Sequence, residues 1–184
     1  VGAFDAAVAS DVPLSAGMSS SAALEMSACF AFREAFGLDF PLADWARIGQ
    51  GAENNYVGVK SGLLDQFSSV FGKRNSLILC DFRKVEVLRT VPLPEGFSIV
   101  VANSMVRHDL VDSDYNLRFE SCRRALESLK RKYPGITALR DVDMRMLESA
   151  KGLLDHQDYM RARHIIGEDE RVMEAVRLLG EGKV

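Results

Sequence analysis

PLSAGMSSSAALEMSACFAFREAFG, residues 13–37, holds the turn around which the rest of the chain can be ordered. Pro13 and Gly17 mark a loop over residues 11–18. From Ser20 to Phe36 the apolar positions Leu24, Ala28, Ala31 and Ala35 recur with helical spacing, and Gly37 stops the helix. Met26 and Phe30 add a second apolar row, so this helix is expected to be buried on most sides. Upstream, Val1 to Ser10 reads as a strand.

A tight turn of small residues leading into a helix that opens on Ser19, Ser20 and Ser21 suits an anion. Gly17 lets a ligand approach the backbone, the first-turn N–H groups have no intrahelical partner, and the helix dipole adds partial positive charge there. The serine hydroxyls could donate further bonds or reach a metal. They would also serve as ordinary helix caps, an alternative that stays open at this point. A Walker-type loop is excluded, because no G-x-x-x-x-G-K-[ST] occurs.

Further along, a helix is expected from Pro41 through Trp45 and Ile48 to about Asn54, and another over Leu64, Phe67, Val70 and Phe71, ended by Gly72. Ser76–Asp81, Lys84–Leu88 and Phe97–Ser104 read as strands. Helices are expected over Tyr115–Lys132, Met144–Leu154 and Tyr159–Leu179, the first stopped by Pro134-Gly135. This order is α+β, without the regular alternation of a parallel sheet.

A net charge of −3 gives no reason to expect nucleic acid or an anionic membrane as partner. No apolar run approaches spanning length, and residues 1–10 lack a basic start followed by an apolar core. Cys29, Cys80 and Cys122 have no metal-type spacing and read as free thiols, which suits a reducing, cytoplasmic setting.

Two carboxylates attract attention. In SGLLDQFSSVFG, residues 61–72, Asp65 falls in the first turn of a helix, where the dipole favours its ionised form. Glu53, in GQGAENNYVG, sits near a helix end. Its plain reading is an exposed C-terminal glutamate, although the unfavourable dipole there would suit a compensating cation. In NSMVRHDLVDSDYNLRFESC, residues 103–122, Arg107 and His108 precede a polar turn in which Ser113 or Asp114 is placed to cap the next helix. His108, His156 and His164 read as structural.

These motifs resemble a known family. Pro13 to Glu25 is similar to the phosphate loop of the GHMP kinases, which in the galactokinase branch reads close to P-L-G-x-G-L-S-S-S-A-x-L-E. Ser15 and Met18 stand here where glycine and leucine are usual. Residues 61–72 resemble the galactokinase stretch G-x-M-D-Q-F, residues 49–58 resemble A-E-H/N-x-F/Y-V-G, and residues 103–122 resemble N-S-x-V-x-H-x-L-x-x-S-x-Y-x-x-R-R. Tyr159–Glu168 resembles a further helix of that branch.

The resemblance implies ATP and Mg2+ as cofactors and a small sugar as substrate. Pro13, Leu14, Ser15, Ala16, Gly17, Met18, Ser19, Ser20 and Ser21 would hold the nucleotide. Ser20 and Glu53 would hold the metal, Asp65 would be the base, and Gly62, Asp65 and Tyr115 would meet the sugar. It also implies a two-domain architecture, with residues 1–94 in a ribosomal-S5-like nucleotide domain and 95–184 opening a ferredoxin-like domain.

The family's N-terminal G-R-x-N-L-I-G-E-H-x-D-Y and C-terminal G-G-G-F-G-G do not occur here. The chain is therefore expected to be the middle of that plan, inactive alone, with sheet edges that could pair two copies. Galactose is the expected acceptor. A related sugar such as N-acetylgalactosamine or arabinose, and a non-catalytic sensor of sugar and nucleotide, are the alternatives.

Overall fold

Where apolar spacing and a glycine stop coincide, the helices form as the sequence predicts. The structure, a computed structural model, describes residues 2–105 and 114–183. α1 spans Ser20–Phe36, and the left-handed Gly37 (φ 61°) closes it by donating its N–H to Arg33. α2 spans Leu42–Ala52, and α3 spans Leu64–Phe71. Between α2 and α3 the chain makes a π-helical turn, Glu53–Val57, ended by left-handed Gly58. The sequence reading ran α2 on to about Asn54 and did not anticipate this widened turn.

β1, Ser76–Asp81, pairs antiparallel with β2, Glu86–Pro92, with a bulge at Leu79/Cys80. The second strand begins two residues later and ends four residues later than the expected Lys84–Leu88. Residues 82–85 are needed for the reversal, in which the Arg83 N–H donates to Asp81 (2.9 Å) and Val85 takes φ 59°.

The strands expected over Val1–Ser10 and Phe97–Ser104 are not present among the described residues. Both stretches are exposed, and the described sheet contains only β1 and β2. A β-rich composition gives a strand only when a neighbour completes its ladder. Phe4 instead turns its ring edge to Phe32 (5.0 Å) and Phe36 (6.3 Å) of α1.

The chain divides into two compact units, Val1–Val111 and Asp112–Val184. In the first, α1, α2 and α3 pack on one another around Met26, Cys29 and Trp45, with Val70 of α3 against them. The buried side of α1 carries Ala22, Met26 and Cys29, whereas Leu24 is 51% exposed and its row borders a groove under residues 4–12. The expectation that α1 is covered on most sides is thus corrected, because α2 and α3 occupy one face only. Phe67 is fully buried and meets Phe71 and Phe82 at 4.9 and 5.4 Å, which ties the hairpin to α3.

The second unit is helical. α4 spans Asp114–Lys132, α5 Met144–Ser149 and α6 His156–Gly180, with short 3-10 turns at Leu139–Asp141 and Lys151–Leu153. Helix α6 begins earlier than the apolar pattern suggested, because the Asp155 carboxylate caps it by accepting from the Asp158 N–H (2.8 Å). Ala125, Leu129, Leu147, Ala162 and Ile166 form the core. Buried Asp158 accepts from Ser121 and, in a forked pair at 3.0 and 2.7 Å, from Arg124, so α6 is joined to α4 by charge as well as packing.

Removing the Phe67 ring should leave a cavity where α1, α3 and the hairpin turn depend on it. Phe67→Ala is expected to cost about 3–5 kcal/mol in a urea unfolding experiment.

Candidate active site

The loop before α1 alternates in handedness. Ser15, Gly17 and Ser19 have φ values of 55°, 71° and 54°, while Ala16 and Met18 between them are not left-handed. Alternation of this kind turns successive N–H groups toward one side and makes a concave anion cradle. The cradle runs directly into the first turn of α1, whose free N–H groups extend it. Gly17 suits its place for two reasons: its φ is costly for other residues, and the space beside it is open for a ligand. The left-handed φ of Ser15 explains physically why glycine is favoured there. Ser19, at the N-cap, makes no side-chain cap bond, so the capping alternative for the serine run fails at that position.

Glu53 is the centre of the arrangement. It opens the π-helical turn, is only 6% exposed, and receives donors from three other segments. Ser21 of α1 donates to Oε1 at 2.8 Å. Ser61 donates to Oε2 at 2.5 Å, and Gln66 Nε2 of α3 stands 3.4 Å from the same oxygen. Ser61 Oγ also lies 3.2 Å from Asn54 Oδ1, but its single proton serves the closer carboxylate. Gln50 Nε2 donates to the Ser61 carbonyl at 3.0 Å and steadies that loop. The plain reading of Glu53 as an exposed helix-end glutamate is corrected: the π turn carries it inward, as such turns often do at functional sites.

A second carboxylate lies close by. Glu25, one helical turn after Ser21, accepts from Gln66 Nε2 at 2.9 Å. Burial pushes its carboxyl above the usual range; the Gln66 bond opposes this, while the charges of Glu53 and Asp65 reinforce it. Gly49 of α2 makes the approach possible, since a Cβ there would lie 2.3 Å from Met26 Cε and 3.2 Å from Glu25 Oε2.

Asp65, beside Gln66, sits half-buried in the first turn of α3. No hydrogen bond or ion pair occupies its carboxylate among the described residues. Gly62, just upstream, faces open space.

Several expected residues are thereby assembled: the loop 13–21, Glu53, Gly62 and Asp65 belong to one unit. The serine hydroxyl that meets Glu53 is Ser21, whereas Ser20 lines the groove beside residues 4–12. Tyr115 is in the first turn of α4, in the other unit. Arg107, His108, Asp112 and Ser113 lie outside the described residues. The sequence reading missed the roles of Glu25, Ser61 and Gln66. One signal was available: Ser21 and Glu25 are four apart and share a helix face.

The donor set at Glu53 is of the kind a divalent cation takes. A carboxylate and a hydroxyl are hard oxygen donors of the type Mg2+ takes, and Mg2+ commonly keeps waters and phosphate oxygens for the remainder. Among the described residues no group of three or more His, Cys, Asp or Glu gathers as a metal centre. Such a site would therefore have to be completed by phosphate.

Residues 2–73 match the GHMP kinases N terminal domain. Over that stretch the chain is similar to the GHMP kinases. It is 44% identical over 178 residues to a galactokinase of Actinobacillus pleuropneumoniae serotype 3, covering 95% of this chain and 45% of that protein. It is 39% identical over 176 residues to a galactokinase of Thermotoga maritima, covering 95% and 47%. The crystal structure of Lactococcus lactis galactokinase complexed with galactose matches with a TM-score of 0.83 at 29% identity, over 94% of this chain and 44% of that one.

The chain therefore spans about half the length of the curated relatives it matches. The α+β, GHMP-kinase-like fold expected from the sequence is borne out. No helix among the described residues is long and apolar enough to cross a membrane.

The Glu25 shift gives a stability prediction whose sign follows from linkage. A carboxyl raised in the fold holds its proton more firmly than in the unfolded chain, so ionisation penalises the fold as pH climbs through and above the usual carboxylate range. Glu25→Gln keeps an acceptor for Gln66 and removes the charge. Its melting temperature should match wild type near pH 4 and exceed it at pH 7–8.

Proposed function

We propose that this chain forms part of an ATP-dependent galactose kinase, which transfers the γ-phosphate of ATP to the anomeric hydroxyl of galactose and gives galactose 1-phosphate. The carrying observation is the buried Glu53 carboxylate, hydrogen-bonded to Ser21 at the end of the phosphate cradle and to Gln66 beside Asp65. Those bonds join an anion site and an uncommitted carboxylate within one unit.

Residues Pro13–Ser21 cradle the phosphates through serine hydroxyls and the backbone N–H groups that follow Pro13. Asp65 orients the sugar hydroxyl and receives its proton, Gly62 leaves room for the ring, and Tyr115 contacts the sugar. Mg2+ held by Glu53 with a hydroxyl of the serine run, Ser20 in the family pattern and Ser21 by hydrogen bonding, would neutralise charge on the β- and γ-phosphates. Phosphoryl transfer asks little covalent chemistry of the protein, so the work of these residues is placement and charge. Residues 1–94 would belong to the nucleotide domain and 95–184 to the start of the second. The free thiols of Cys29, Cys80 and Cys122 fit a cytoplasmic enzyme.

The test is turnover of ATP by the full-length protein with a panel of sugars, comparing wild type with Asp65→Ala. Galactose-dependent turnover should fall about 10²–10⁴-fold in the variant, with nucleotide affinity kept. Binding of both ligands without turnover by wild type would favour a sensor instead, and preference for another sugar would reassign the substrate.

A further inference from the structure

Gln66 has no part in the chemistry above, yet its side chain is completely buried and its amide nitrogen lies between two carboxylates. Nε2 is 2.9 Å from Glu25 Oε2 on α1 and 3.4 Å from Glu53 Oε2 at the π turn. It carries two hydrogens, one for each acceptor. Turning the amide over would set its oxygen against the acceptor oxygens of Glu25 and Glu53, so hydrogen bonding dictates the orientation. The consequence is that Oε1 is buried with no partner. A side chain selected only to fill the space among α1, α2 and α3 would be Met or Leu, which leaves no oxygen stranded.

Glu25 acts as the fixed post of this bridge. It stands on α1, and the absent side chain of Gly49 leaves it and the Gln66 Cγ room to meet; a Cβ there would lie 3.2 and 3.4 Å from them. Glu53, by contrast, is held on Oε1 by one serine and on Oε2 by another, both rotatable hydroxyls. The amide of Gln66 is the rigid donor among the three.

We propose that Gln66 is a positioning residue for the kinase site: its bridge from Glu25 sets the angle at which Glu53 presents its carboxylate to the divalent cation of the nucleotide. The assignment rests on the kinase reading above. Groups that orient a metal-binding carboxylate commonly alter metal affinity by 10–100-fold when removed, without touching the metal themselves.

The experiment uses the full-length protein and Gln66→Met, which keeps the length of the side chain and loses the donor. The Mg2+ concentration for half-maximal turnover should rise roughly tenfold, with kcat recovering at saturating Mg2+ and galactose affinity unmoved. In calorimetry, the gain in ADP affinity that Mg2+ confers should shrink by a similar factor. A space-filling role predicts a lower melting temperature with the Mg2+ dependence unchanged, and that result in a folded variant overturns the proposal.

If Gln66→Met does not fold, Glu25→Ala removes the other end of the bridge. It should move the Mg2+ requirement in the same direction by less, and an unchanged requirement overturns the proposal equally. Should wild type lack galactose-dependent turnover, the galactose reading falls. The ADP calorimetry, which needs no sugar, then still decides the role of Gln66.

Discussion

Burying a carboxylate requires that its lost water be replaced by donors, and Glu53 is the place where this chain meets that requirement. Its side chain is almost wholly buried, and the replacement donors come from Ser21, Ser61 and Gln66. Those residues lie on α1, on the loop after the π turn, and on α3. Moving any of these segments alone would leave a buried carboxyl oxygen short of a donor. The geometry of the unit is consequently set as much by this one group as by the apolar contacts of Met26, Trp45 and Phe67.

The features around Glu53 are consequences of bringing it there. The π turn gives the chain an extra residue with which to rotate Glu53 inward at the end of α2, and Gly58 closes that turn by donating to the Glu53 carbonyl at 3.0 Å. Gly49 thins α2 so that Glu25 and Gln66 can come together beside it. On the far side, the bond from Ser21 fixes the start of α1, and so fixes where the left-handed residues Ser15, Gly17 and Ser19 aim their N–H groups. The loop before α1 and Asp65 are thus held by helices linked through a common carboxylate, the preorganisation that the proposed phosphoryl transfer would call for.

Much of this was legible in the sequence, and what was not has identifiable causes. The limits of α1 followed from periodicity and Gly37, and the serine-rich turn marked the cradle, because both are local properties of the chain. Phe97–Ser104 and Val1–Ser10 have strand composition but no ladder in the described residues, and pairing cannot be read from one strand alone. The buried row of α1 was assigned too broadly for a similar reason: periodicity names a face but does not say how many neighbours arrive to cover it. Gln66 was hidden because its bonds to Glu25 and Glu53 span 41 and 13 residues. A glutamine beside an aspartate reads as an ordinary polar helix position until the fold shows that it is buried.

In the proposed kinase, Glu53 couples the loop before α1 to a divalent cation. Calorimetry of ADP binding to the full-length protein, with and without Mg2+, for wild type and Glu53→Gln tests it most directly. The variant should stay folded, keep its metal-free ADP affinity and lose at least tenfold of the Mg2+-dependent gain. A folded variant that retains the whole of that gain would contradict it.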